Sequence, residues 1–165
     1  MTDFVEAQGN VFLAHRLRRA SDRIVDQVGG MLAAMGLDVP PRGASMLLML
    51  DEHGSIGVVE IARRLRLSHP LIVRMAQRFE ELGLVSIEVD PKDARRRRLI
   101  TTEKARREAA AIRAFNKRLA AMFDALFAEI ECNLPLVLDR FDAALDAEPI
   151  AERLAALPAS EGDDR

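Results

Sequence analysis

The sequence predicts a mainly α fold interrupted by one small β-hairpin. Three observations predict it. Residue usage favours helix over strand, with no Trp, no Tyr and seven Phe among many Ala, Leu and Arg. Apolar residues recur at helical spacing through most of the chain. One short alternating stretch, from Leu84 to Val89, is followed by a turn and a run of arginines, which is the pattern of a hairpin.

Composition sets the outer bounds. The 165 residues, 49% hydrophobic and 30% charged, have the balance of an ordinary soluble domain, which excludes disorder throughout. No apolar run reaches the ~18 residues that cross a bilayer. The segment from Met1 to Glu6 lacks a basic stretch followed by an apolar one, so a cytoplasmic protein without membrane contact is expected. Cys132 is the single cysteine and has no internal partner, and His15, His53 and His69 form no metal-ligand spacing. No metal and no cofactor are expected. Carboxylate pairs such as Asp90 with Asp93 belong to a turn and offer no base–nucleophile arrangement, so no enzyme is expected either.

The net charge of −2 conceals a segregation. Residues 1–60 carry five basic and eight acidic side chains, residues 61–120 carry 16 and seven, and residues 121–165 carry three and eleven. A basic middle between acidic ends has the sign to meet a polyanion.

The elements follow in order. From Val11 to Met35, Leu13, Leu17, Ile24, Val28, Met31, Leu32 and Met35 repeat mostly three or four apart, which makes one long amphipathic helix that Gly36 and Pro40-Pro41 stop. A short helix is expected over Ser45–Leu50, broken by Asp51-Glu52-His53-Gly54. A third starts after Gly57, with Val58, Ile61, Ala62 and Leu65 on one buried face. The fourth opens at Ser68 as N-cap, carries Pro70 in its first turn and closes at Gly83. Its core arc is Ile72, Met75, Ala76, Phe79 and Leu82, which leaves Pro70, Val73, Arg74, Gln77 and Glu81 facing outward. Two helices across a tight turn, with small Ala62 allowing close packing, match the helix-turn-helix that places its second helix in a DNA major groove, an arrangement shared by helical hairpins that bind no DNA; Arg and Gln there can read bases.

After the alternating Val85, Ile87 and Val89, the turn Asp90-Pro91-Lys92-Asp93 leads to a return strand from Arg95 to Thr101. Four consecutive arginines cannot be buried there, and on a projecting hairpin they reach phosphates and a minor groove. From Thr102 a helix of about 30 residues is expected, with Ala105, Ala109, Ile112, Leu119, Met122, Phe123, Leu126, Phe127 and Ile130 as its apolar seam. Helices are also expected over Leu134–Leu145 and Pro149–Leu157.

These residues resemble the MarR (multiple antibiotic resistance regulator) winged helix-turn-helix transcription factors over nearly the whole chain. The strongest stretch runs from Ile61-Ala62-Arg63-Arg64-Leu65 through Leu67-Ser68-His69-Pro70 and Glu81-Leu82-Gly83-Leu84-Val85. It continues to Asp90-Pro91-Lys92-Asp93-Ala94-Arg95, which is similar to that family's D-P-x-D-x-R wing signature, and ends in Thr102-Glu103-Lys104-Ala105. The sequence departs from similar members at Leu71 and Val73, where they often carry Ser or Thr, and at Arg66 and Ala105, where they carry Gly.

The resemblance implies a division into an N-terminal dimerisation helix (1–36), a winged helix-turn-helix DNA-binding domain (37–101), C-terminal dimerisation helices (102–157) and a disordered tail (158–165). It implies a homodimer on a roughly palindromic double-stranded DNA site, most often a repressor, released by a small-molecule effector. The DNA-binding residues expected are Ser68, His69, Pro70, Val73, Arg74, Gln77 and Arg78 of the recognition helix, with Asp93, Arg95, Arg96, Arg97 and Arg98 of the wing. In the signature, the Asp93 carboxylate is expected to orient Arg95. His15 and Arg16 lie near where relatives bind small aromatic acids. Cys132 is expected to be inert, since relatives with a sensing thiol carry it near the first helix. Two other readings are an activator of the same build, and a helical dimer that works by protein contact with little DNA binding, which Leu71 and Val73 favour.

Overall fold

In a computed structural model the chain is described over residues 3–90 and 93–158; for Asp90 and residues 93–96 the description is of the backbone alone. It is mainly helical with one small antiparallel sheet, as the sequence predicts. Two compact units divide it, Met1–Asn116 and Lys117–Arg165.

The first unit opens with a turn of helix that the sequence reading did not anticipate, α1 (Phe4–Ala7). Asp3 caps it, its Oδ1 accepting from the Val5 and Glu6 amides at 2.9 and 3.2 Å. Helix α2 (Leu13–Ala34) follows, two residues shorter at its start than expected. A 3₁₀ turn over Pro41–Gly43 leads into α3 (Ala44–His53), which continues through Asp51 and Glu52 and stops only at Gly54, where φ is +67°. The expected break at Asp51 is therefore corrected. Aspartate and glutamate are tolerated in a last helical turn, and the left-handed conformation at glycine ends it.

Strand β1 (Ser55–Gly57) is another element that the sequence reading missed. Helices α4 (Val58–Leu65) and α5 (His69–Glu81) come next, then β2 (Val85–Asp90) and β3 (Asp93–Thr101). The hairpin is thus part of a three-stranded sheet in the order β1–β3–β2. Ile56 pairs with Leu99 and Ile87 with the same Leu99 from the other side, so β3 is central. Leu99 is fully buried, with Ile56 and Val85 buried near it; towards the tip Val89 is exposed, so the alternation that marks the strand does not mark a core there.

The core of this unit joins Met46, Leu47 and Leu50 of α3, Ile61 of α4, Ile72, Ala76 and Phe79 of α5, and Leu84. Each of the larger side chains here contributes about 1.5–3 kcal/mol when fully buried. Helix α6 (Glu103–Glu129) adds Ala105, Ala109, Ile112 and Phe115. It also adds buried Glu108, a charged residue inside the seam. Thr101 anchors the end of β3, its Oγ1 donating to the Leu50 carbonyl at 2.7 Å and its amide to the Gly54 carbonyl at 2.9 Å.

The second unit holds the end of α6, then α7 (Leu134–Ala147) and α8 (Ile150–Ala155). Asn133 caps α7 by accepting from the Leu136 amide at 3.1 Å. Arg153 closes its other end, donating to the carbonyls of Ala144 at 2.7 Å and Glu148 at 2.9 Å. Among the described residues from 117 onward none is buried. The tail expected over 158–165 lies outside the described residues except for Pro158. No helix among the described residues is long and apolar enough to cross a membrane.

Candidate nucleic-acid interface

The turn between α4 and α5 is built by Arg66, which adopts the left-handed region at φ 52°, while the Leu67 amide donates to the Ala62 carbonyl at 3.0 Å. Ser68 then occupies the N-cap position of α5 in extended backbone conformation, but its hydroxyl makes no capping bond. That part of the expectation is corrected: the turn is held by backbone groups, including the Ser68 carbonyl, which accepts from Leu71 and Ile72 at 3.1 Å each. Ser68 is exposed.

Burial of Ile72, Ala76 and Phe79 fixes which side of α5 faces out. On the outer side Ser68, His69, Pro70, Arg74, Gln77 and Arg78 are all exposed. Arg78 is engaged along the helix with Glu81 at 2.9 Å, an exposed pair. Leu71 and Val73, the apolar side chains that favoured a DNA-silent reading, are half-buried.

The wing continues this surface. Arg98 pairs with Glu88 and Arg97 with Val89, and the register shifts between Val89 and Asp90. Arg97 is exposed and Arg98 half-buried. Val58, Val59, His69, Val73, Arg97 and Arg98 line one groove of about 540 Å³, and Val73, Gln77 and Arg97 share the next. The structure thus brings together residues of α5 and β3 that lie far apart in sequence. For Asp93, Arg95 and Arg96 only the backbone in β3 is described, and the expected Asp93–Arg95 contact lies outside the described residues.

Two polar clusters escaped the sequence reading. On α4, Glu60 receives Arg63 Nε and Nη2 at 3.0 and 2.7 Å and Arg64 Nε at 2.5 Å. Hydrogen bonds from Arg63 and then Arg64 hold the Glu60 carboxyl down to about 2. Arg64 also meets His53 Nε2 at 2.8 Å, while His53 Nδ1 lies 2.9 Å from the Met49 carbonyl. That carbonyl requires a proton on Nδ1, so Nε2 accepts from Arg64. The i,i+3 and i,i+4 spacing of Glu60 with the two arginines was the available signal. The second cluster centres on Lys104, whose Nζ lies 2.7 Å from the Leu82 carbonyl, 2.5 Å from Asp38 Oδ2 and 4.0 Å from Glu108 Oε1.

His15 and Arg16 are exposed on α2; His15 borders a shallow pocket with Ala14, Arg18, Arg19 and Asp22. Arg19 is paired with Asp3 at 2.8 Å, and Asp22 with Arg18 and Arg42. Cys132 is a free, half-buried thiol in the turn after α6. No group of three His, Cys, Asp or Glu among the described residues could hold a metal ion.

Residues 37–96, from the connector after α2 through the wing, match the sequence model of the MarR family. This segment is a MarR family winged helix. Solved structures extend the MarR fold over more of the chain. The MepR–DNA complex of S. aureus is similar with a TM-score of 0.63 at 17% identity, over 78% of this chain and 97% of that one. A MarR family transcriptional regulator from Rhodococcus sp. RHA1 is 25% identical over 83% of this chain and 94% of its own, with a TM-score of 0.55. The heme sensor PefR from Streptococcus agalactiae, solved with heme, has a TM-score of 0.57 at 12% identity over 84% of this chain and 95% of that one. No curated protein matches the chain.

Proposed function

We propose that this chain is a sequence-specific DNA-binding transcriptional regulator, a cytoplasmic homodimeric repressor released from DNA by a small-molecule effector. One observation carries the reading: the exposed polar face of α5 and Arg97 and Arg98 of β3 share one surface, with His69, Val73 and Gln77 beside Arg97. A helix so placed enters a major groove while the hairpin beside it reaches the flanking backbone and minor groove. Arg74 and Gln77 read base edges; Arg97 and Arg98, with Arg95 and Arg96, supply cationic charge for phosphates; Asp93 orients Arg95. The MepR complex, in which a similar fold is bound to DNA, supports the assignment.

Uncovered apolar surface supports the dimer. Leu126, Ile130, Leu134, Val137 and Phe141 are exposed in the second unit, as are Leu17, Ile24 and Met31 on α2. A second copy that covers them places two recognition helices about 34 Å apart on successive major grooves. An effector acts by favouring a dimer with a different spacing. PefR's complex with heme supports ligand control in a fold of this kind, and His15 and Arg16 are the residues assigned to the effector here.

Selection of bound duplexes from a random pool tests the proposal. Enrichment of a two-fold symmetric site, together with sedimentation at twice the 18.3 kDa chain mass, is the expected result. A pool that returns no enriched sequence overturns DNA reading, and an 18.3 kDa species at sub-micromolar concentration overturns the two-half-site mechanism.

A further inference from the structure

We propose that Lys104 is a positioning residue that seats the recognition helix, acting on DNA affinity through α5 without touching DNA; the inference rests on the DNA-binding reading above. Leu82 is the C-cap of α5, and its carbonyl lies beyond the last helical amide that could serve it. The Lys104 ammonium, in the first turn of α6, supplies the missing donor at 2.7 Å. A cation at a helix C-terminus also complements the partial negative charge there.

The same ammonium reaches Asp38 Oδ2 at 2.5 Å, in the connector between α2 and α3. Glu108 lies one turn further along α6, its Oε1 4.0 Å from Nζ and its Oε2 accepting from the Val39 amide at 3.0 Å. Glu108 is buried, and its two oxygens face the Val39 amide and the Lys104 ammonium. One cation therefore ties three elements: the end of α5, the connector that follows α2, and α6. Thr102 closes the same corner, its Oγ1 donating towards the Gly83 and Leu84 carbonyls at 2.8 and 3.0 Å.

Leverage gives the corner its importance. The 13 residues of α5 span roughly 20 Å at 1.5 Å per residue, so a tilt of about 3° about Leu82 moves the His69 end by about 1 Å. Hydrogen bonds to base edges do not survive shifts much larger than that. Bonds to phosphates, made by flexible arginines, follow the displacement. Loss of the latch should thus cost selectivity before it costs charge attraction.

The test uses Lys104→Met in the full chain, with the duplex obtained by selection and a random duplex as probes across a salt series. Amide hydrogen exchange at Val39 and Leu84 is followed in parallel. Expected are at least a tenfold loss on the selected duplex, less than a twofold loss on the random one, an unchanged salt slope, and faster exchange at both amides. Lys104→Arg, which keeps a donor cation, should recover most of the selected-site affinity. Equal losses on both duplexes with a slope shallower by about 0.9 would make Lys104 a phosphate contact and overturn the proposal. Unchanged affinity per folded molecule, with only a lower melting temperature, would overturn it as well. If Lys104→Met does not fold, Asp38→Asn, at a half-exposed side chain, must show a loss of the same sign on the selected duplex, and unchanged selectivity there counts against the latch. A wild-type chain that selects no DNA removes the functional reading and with it the effect on affinity, whereas wild-type-like exchange at Val39 and Leu84 in Lys104→Met shows separately that Lys104 does not hold the corner.

Discussion

Gly43 and Phe79 share one space: a β-carbon placed on Gly43 would lie 2.7 Å from Phe79 Cε1 and 3.0 Å from its Cζ. The backbone of Gly43, at φ −93°, is one any residue adopts, so this glycine serves room rather than conformation. The ring it admits is the buried anchor of α5, set directly against the turn that starts α3.

Gly43→Ala should therefore destabilise the fold by about 1–3 kcal/mol, the usual cost of forcing extra carbon into a packed core. Urea unfolding monitored by circular dichroism measures it. A change below about 0.5 kcal/mol would mean that the ring yields freely, and that α5 is less firmly seated than its burial implies.

At Arg66 the expected effect has the opposite sign. A side chain in the left-handed region costs roughly 1–2 kcal/mol, which glycine avoids while giving back part through its looser unfolded chain. Arg66→Gly should raise stability by about 0.5–1 kcal/mol in the same urea experiment. If DNA affinity falls at the same time, the arginine also contacts phosphate.

Glu60 should titrate far below an ordinary carboxylate, near about 2, because Arg63 and Arg64 both donate to it. With the folded value depressed, its contribution to stability is complete above the ordinary value of 4.5 and is lost as pH falls through about 2. Carbon-detected NMR of the Glu60 carboxyl gives the titration directly. Glu60→Gln should leave stability in that acid window less dependent on pH, and a midpoint near 4.5 in the wild type would show that neither arginine holds it in solution.

Arg74 and Gln77 should each matter for discrimination more than for folding, since both are exposed on the face opposite Ile72 and Phe79. Alanine at either position should cost ~1–3 kcal/mol on the selected duplex and distinctly less on random DNA. Fluorescence anisotropy with both duplexes separates the cases. Equal losses would reassign the residue to phosphate contact.

The helices α4 and α5 were legible because each declares itself locally. Val58, Ile61, Ala62 and Leu65 repeat at helical spacing, and Ser68, Pro70 and Gly83 punctuate α5 at both ends. Strand β1 gave no such sign: Ser55-Ile56-Gly57 holds one apolar residue, and its partners Leu99 and Ile100 come after two helices and another strand. Glu108 was illegible for a related reason. On its own helix it reads as a solvated charge, and its partners, Val39 and Lys104, include an amide 69 residues away in sequence. The outer face of α5 was readable as a set of residues, whereas its junction with Arg97 depends on tertiary structure.

Strand β1 also orders events during folding. Ser55 pairs with Ile100, so closing that ladder encloses α4, α5 and β2 in one loop, a contact far slower to find than the adjacent turn of β2 and β3. An isolated peptide of residues 84–101 would keep every arginine of the hairpin yet lack the strand that flanks β3 on its other side, and a lone two-stranded hairpin is marginal in water. The register that β2 sets for Arg97 and Arg98 is thus braced from the other side only when Gly57 pairs with Arg98, a contact across two helices and a strand.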